Sequence, residues 1–218
     1  MMRPHLIIFD CDGVLVDSEV LSCRCLCDAL AGYGIEVGLE ETLDLFLGRS
    51  LDAVLAHYQG LGWSIPRQFP AELMVKVQET FRSALCPIDG IGLVLEGLEI
   101  PHCVASSSTF DRVSLSLSLT GLARHFGDRL YTAQMVDRGK PAPDLFLYAA
   151  GRMQADPSRT LVIEDSVSGV RAAKAAGMTA WGFVGGSHYR ARDGAASLLE
   201  AGADRVFARM ADFWPTDR

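Results

Sequence analysis

The sequence predicts an α/β protein: a doubly wound parallel sheet, with an all-helical segment inserted after the first strand. Short apolar runs of strand length, residues 6–9 and 160–163 among them, alternate with segments of helical periodicity. Those runs are continuously apolar, as strands buried on both faces are. Residues 17–86, by contrast, contain four helical segments in succession and no strand.

The elements follow in chain order. LIIF at 6–9 is the first strand. From Ser18 to Tyr33, Leu21, Cys25, Ala29 and Tyr33 recur every four residues, and Gly34 supplies a stop. A short helix over 40–47 is closed by Gly48. Ser50 is placed to cap a third helix, with Leu51, Val54, Leu55 and Tyr58 on one side and Gly60 and Gly62 at its end. A fourth covers 71–85 through Leu73, Val77 and Phe81.

From Cys86 onward strand and helix take turns. A CPIDG turn leads to a helix over 91–98, with Leu93, Val94 and Leu98 as its packing residues, then to a strand over 102–105. In RVSLSLSLTGL the leucines alternate with serine, a strand period. Parallel strands, however, need a crossover of a dozen or so residues, usually helical. Thr109 as cap and Phe110, Val113 and Leu117 at helical spacing satisfy that need, so the segment is read as a helix. Strands over 129–132, 160–163, 178–184 and 204–207 complete the sheet. Helices over 144–153, after Ser166 and over 195–201 lie between them.

Composition narrows the function classes. A 49% hydrophobic, 22% charged chain is that of an ordinary globular protein. Net charge is −7 and no basic cluster occurs, so neither nucleic acid nor an anionic membrane surface is an expected partner. No apolar run reaches membrane-spanning length. The start, MMRPH, leads straight into the first strand with no room for a signal peptide, which points to the cytoplasm. Cys23, Cys25 and Cys27 lack the CxxC spacing of a zinc site and read as ordinary thiols. No signal for oligomeric state is present.

The chemistry begins where the first strand ends. Asp10, Asp12 and Gly13 follow it directly, delivering two carboxylates to the edge of a sheet where ligands sit in open α/β folds. Acids so close repel unless a cation offsets them, and Mg²⁺ is the ion hard carboxylates prefer. An EF-hand is ruled out because Val14, Leu15 and Val16 occupy its ligand positions. Three other groups stand at strand ends or in the loops just past them: Ser106 with Ser107, Lys140, and Glu164 with Asp165. Each has an ordinary reading alone, as a helix cap, a solvated charge or an acid before a helix. In a parallel sheet all these ends share one edge. A P-loop is excluded, since Lys140 precedes a proline and no GxGxxG occurs.

DCDGVLVDSE at 10–19, Ser106 within VASSS, GKPAPDLF at 139–146 and EDSVSG at 164–169 together resemble the haloacid dehalogenase superfamily, in its β-phosphoglucomutase-like phosphatase branch. The likeness spans essentially the whole chain. It implies a Rossmann-like core over 1–16 and 87–218, a helical cap over 17–86, and Mg²⁺-dependent hydrolysis of a small sugar or sugar-acid phosphate such as 6-phosphogluconate. Under it Asp10 is the nucleophile that forms an aspartyl-phosphate, and Asp12 the general acid and base. Ser106, Ser107 and Lys140 hold the phosphate. Asp10, the Asp12 carbonyl and Asp165 hold Mg²⁺, with Glu164 as a ligand or an outer support. In the cap, Arg49 and Lys76 are the candidate anion readers, and the connections near 16–17 and 86–87 the hinges.

The chain also departs from the mutase pattern. Ser22 stands where β-phosphoglucomutase has histidine, and its cap arginine is displaced, with Leu51 after the LGRS turn. Both favour hydrolysis over the alternative of a phosphosugar mutase. A non-enzymatic phospho-acceptor domain is the other alternative, and a helical insert has no place in one. His5, His57, His102, His125 and His188 fall outside every motif and are read as surface or packing residues.

Overall fold

The computed structural model describes residues 3–49, 51–190 and 192–214. The chain divides into two compact units: Ser18–Leu85, and the remainder up to Asp17 and from Cys86 onward.

The second unit holds six strands: β1 (Leu6–Phe9), β2 (His102–Ser106), β3 (Leu130–Thr132), β4 (Thr160–Glu164), β5 (Thr179–Phe183) and β6 (Arg205–Phe207). All pair in parallel, in the order β3-β2-β1-β4-β5-β6. The chain builds outward from β1 to β3, then crosses back to β4 and builds the other way. The direction reverses between β1 and β4, and such a switch point opens a crevice at the carboxyl ends of the strands. β1 is fully buried, as its LIIF sequence requires.

Helices α5 (Ile91–Glu96), α6 (Phe110–Leu119), α7 (Ala123–Phe126), α8 (Asp144–Arg152), α9 (Val167–Ala175) and α10 (Gly194–Glu200) belong to this unit. The serine–leucine repeat is helical: Thr109 caps α6 by accepting from the Arg112 N–H, and Val113, Ser116 and Leu117 are its buried face. One expected packing face is wrong. Leu93 is 77% exposed, while Ile91 and Leu95 are buried. Ile91 and Leu95, four apart, share the inner face with Val94 half-buried beside them, and Leu93, two residues on from Ile91, falls on the opposite side. Leu145, Phe146, Ala149 and Ala150 of α8 pack with Val170, Ala172 and Ala173 of α9 in a core that includes Leu6, Ile8 and Val162.

The unit Ser18–Leu85 contains four helices, α1 (Glu19–Ala31), α2 (Leu39–Phe46), α3 (Leu51–Gly60) and α4 (Phe69–Ala84). Its core joins Leu26, Leu30, Phe46, Val54, Tyr58, Phe69, Leu73, Val77 and Phe81. On α1 the buried residues are Cys23, Cys25, Leu26 and Leu30. The expected Leu21, Ala29 and Tyr33 are half-buried at the rim, because a strict four-residue step drifts around a helix of 3.6 residues per turn. Cys25 Sγ donates to Thr80 Oγ1 at 3.2 Å, and Cys27 bonds Thr42 Oγ1 at 3.1 Å. The expected cap Ser50 lies outside the described residues. No helix among the described residues is long and apolar enough to cross a membrane.

Candidate active site

Asp10 leaves β1 with its N–H bonded to Ile163 O (2.9 Å), so the neighbouring strand fixes the start of the loop. The loop then turns at Gly13, whose φ of +79° suits glycine. A Cβ there would stand 1.9 Å from Asp165 Oδ2. The missing side chain is what lets the Asp165 carboxylate lie against the Asp10–Gly13 backbone.

Lys140 sits at the centre of the polar cluster. Its side chain is 2% exposed, and its Nζ lies 2.6 Å from Asp10 Oδ1, 2.5 Å from Glu164 Oε1 and 3.0 Å from Ala105 O. The Lys140–Pro141 peptide is cis. Burial alone would lower the lysine pKa, but Asp10 and Glu164 outweigh it and raise it, so the ammonium stays charged. Asp10 is pushed well above the usual carboxylate range by burial. Lys140 pulls it down, while Glu164 and Asp165 push it up. Burial and Glu164 raise Asp165 in the same way, with Lys140 opposing and Asp12 adding to the rise.

Glu164 ends β4. Besides Lys140 it accepts from Ser166 N (3.1 Å) and Ser166 Oγ (2.9 Å). Ser166 Oγ in turn caps α9 through Gly169 N, and a Cβ on Gly169 would meet the Glu164 carboxyl at 1.9 Å. These contacts tie Glu164 both to Lys140 and to the start of α9.

Ser106 is buried, and its Oγ accepts from Ser108 N at 3.1 Å, which leaves the hydroxyl proton to donate elsewhere. Ser107 is exposed on the same turn. Asp12, also buried, accepts from Ser108 Oγ (2.7 Å) and Arg112 Nη2 (2.9 Å). Arg49 is exposed, and Lys76 pairs with Asp28 at 3.1 Å on the surface of the helical unit.

Several members of the cluster were not foreseen. Ser108 and Arg112 act on an acid about a hundred positions away, and no local spacing announces that. His188 is buried, with its Nε2 3.2 Å from Asp165 Oδ2, and the Tyr189 hydroxyl donates to Asp165 O. On sequence alone His188 is read as a surface or packing residue, with no tie to an acid. The Gly-Gly-Ser turn after β5, which brings the ring over Gly13, was the available signal.

Asp10 and Asp165 with the Asp12 carbonyl suit a hard divalent cation. Burial and mutual repulsion strain these carboxylates, and one lysine serves Asp10 and Glu164 together. No group of three His, Cys, Asp or Glu side chains able to hold an ion occurs among the described residues. Mg²⁺ does not require one, since it is usually held by one or two carboxylates, waters and substrate phosphate.

A doubly wound sheet with acids, a lysine and a serine at its switch-point edge presents a set of groups suited to phosphate-ester chemistry. The profile of haloacid dehalogenase-like hydrolases matches residues 7–183, and the chain belongs to that family. It is 30% identical over 190 residues to 6-phosphogluconate phosphatase of Escherichia coli, with 86% of each chain covered. With hexitol phosphatase B of the same organism it shares 33% over 186 residues, covering 78% and 79%. A HAD family hydrolase from Deinococcus radiodurans, solved with bound phosphate and sodium, superposes with a TM-score of 0.79 at 35% identity, covering 97% and 93%. The chain is a phosphoric monoester hydrolase.

Proposed function

We propose that the protein is a Mg²⁺-dependent phosphatase that hydrolyses a small sugar or sugar-acid phosphate through an aspartyl-phosphate on Asp10. The observation that carries this reading is the buried contact of Lys140 with both Asp10 and Glu164, beside an Asp165 seated against the Asp10–Gly13 loop. A nucleophilic carboxylate held rigid at a strand end, with cationic groups around it, is what in-line attack on phosphorus needs.

In the first half-reaction an Asp10 oxygen attacks phosphorus, and the ester oxygen leaves with a proton from Asp12. In the second, Asp12 takes a proton from water as that water attacks the phosphoryl group. The Asp10–phosphorus bond then breaks and inorganic phosphate is released. Ser106 and Lys140 hold the equatorial oxygens while charge shifts onto them. Asp10, the Asp12 carbonyl and Asp165 would hold Mg²⁺, and Glu164 keeps Lys140 in place. The metal, when bound, supplies positive charge that lets an anionic nucleophile approach an anionic phosphate. The unit Ser18–Leu85 serves as the substrate-selecting cap, with Arg49 and Lys76 as its anion readers and the flanking connections as hinges. The 6-phosphogluconate phosphatase relative makes that sugar-acid phosphate the first substrate to try.

The test is phosphate release with Mg²⁺ across a panel of sugar phosphates, with β-glucose 1-phosphate plus a bisphosphate activator assayed for isomerisation. Release of phosphate, trapping of a phosphoenzyme and their joint loss in Asp10→Asn are the expected results. That substitution should cost on the order of 10⁴-fold or more in kcat while leaving the circular dichroism spectrum unchanged. Isomerisation without net phosphate release would replace the reading with a mutase. Mg²⁺ should also raise the thermal unfolding temperature of EDTA-stripped protein, and no shift would remove the metal assignment.

A further inference from the structure

Asp12 is gripped from one short stretch of chain. Ser108 Oγ donates to one of its oxygens (2.7 Å) and Arg112 Nη2 to the other (2.9 Å). Both donors stand on fixed backbone. The Ser108 N–H is bonded to Ser106 Oγ, and the Arg112 N–H to the cap Thr109 Oγ1. The Asp12 side chain is 11% exposed and that of Arg112 30%, so the pair is shielded more than a surface ion pair would be. Residues 106–112 thus carry the serine assigned to the phosphate and the two groups that orient the acid and base.

We propose that Arg112 and Ser108 are positioning residues for proton transfer: bonded to both oxygens of Asp12, they fix the plane in which its carboxyl meets the departing ester oxygen and, later, the attacking water. The inference rests on Asp12 being the general acid and base. A carboxylate with two rotatable bonds loses alignment once either donor is gone, and a small misplacement of a reacting group can cost about 10²-fold. Because Ser106 shares the segment, the phosphate and the proton donor are set by one rigid piece. A purely structural ion pair between loop and helix would predict no dependence on the leaving group.

The leaving group separates the two accounts. A sugar alkoxide needs a proton to depart, whereas nitrophenolate leaves from p-nitrophenyl phosphate without one. With Arg112→Met, kcat for the sugar phosphate turned over fastest in the panel should fall about 10²-fold with KM little changed. With p-nitrophenyl phosphate the first nitrophenolate should appear at the wild-type rate. Dephosphorylation should then be slow, giving a burst of one equivalent per active site and an accumulated phosphoenzyme. Arg112→Lys should recover part of the loss, since an ammonium can still make one of the contacts, and Ser108→Ala should show the same split in milder form. If Arg112→Met fails to fold, these two variants carry the test. Equal slowing of phosphoenzyme formation from both substrates, no slowing of either half-reaction, or a change confined to KM would overturn the proposal. A wild-type enzyme that forms no phosphoenzyme would instead overturn the reading of Asp10, a separate result.

Discussion

The two units of the chain treat charge in opposite ways. In the sheet unit Asp10, Asp12, Glu164, Asp165 and His188 are all buried, and the Lys140 side chain is buried with them. In Ser18–Leu85 no Asp, Glu, Lys or Arg among the described residues is buried, and Lys76 pairs with Asp28 at 41% and 65% side-chain exposure. Buried strands leave no choice about where their terminal residues go: an acid placed directly after LIIF is carried to the edge of the sheet. An amphipathic helix turns its charges outward, where water solvates them. Strongly shifted carboxylates therefore occur in the sheet unit, at the expected catalytic edge.

The sharpest way to break this contrast is at Lys140. Lys140→Met leaves Asp10 and Glu164 buried without their shared cation and should destabilise metal-free protein by about 3–5 kcal/mol, read by urea unfolding in EDTA. A loss under about 1 kcal/mol would mean that the pair behaves like one on the surface. Next in size is Gly13→Ala, which meets both a left-handed φ and the Asp165 carboxylate. Strain of about 1–3 kcal/mol is expected, together with weaker Mg²⁺ binding in calorimetry. Unchanged metal affinity would separate Asp165 from the ion. The smallest effect belongs to the helical unit: Lys76→Ala should change stability by less than about 1 kcal/mol. Arg49→Ala should raise KM only for substrates with a second anionic group, and an unaltered substrate profile would dismiss it as a reader.

The fold was legible because apolar runs and helical periods are local. The continuous run at Leu6–Phe9 is a buried central strand, and the crossover requirement identified α6 against the alternation of its leucines. What escaped was either very short or very distant. The four-residue α7 has no period to detect, and α5 is too short for periodicity to say which leucine faces inward. The cluster at the sheet edge was readable as far as strand ends predict it, hence Asp10, Lys140, Glu164 and Asp165. Arg112 and His188 lie in a helix and a turn whose local patterns are unremarkable. Only folding brings them to Asp12 and Asp165.

The junction of the helical insert has a consequence of its own. Asp17 N–H donates to Cys86 O (2.9 Å), Val16 bridges Pro87, and the Asp17 carboxylate accepts from Ser187 N and Oγ at 3.0 and 2.8 Å. Entry and exit are therefore stapled to each other, and from the sheet's standpoint everything spliced between them is one loop already closed. Doubling the length of such a loop adds only about 0.6 kcal/mol of closure entropy. An insert exchanged at this seam should therefore leave strand register and the carboxylate edge as they are, and a cap that selects substrate would be replaceable as one part.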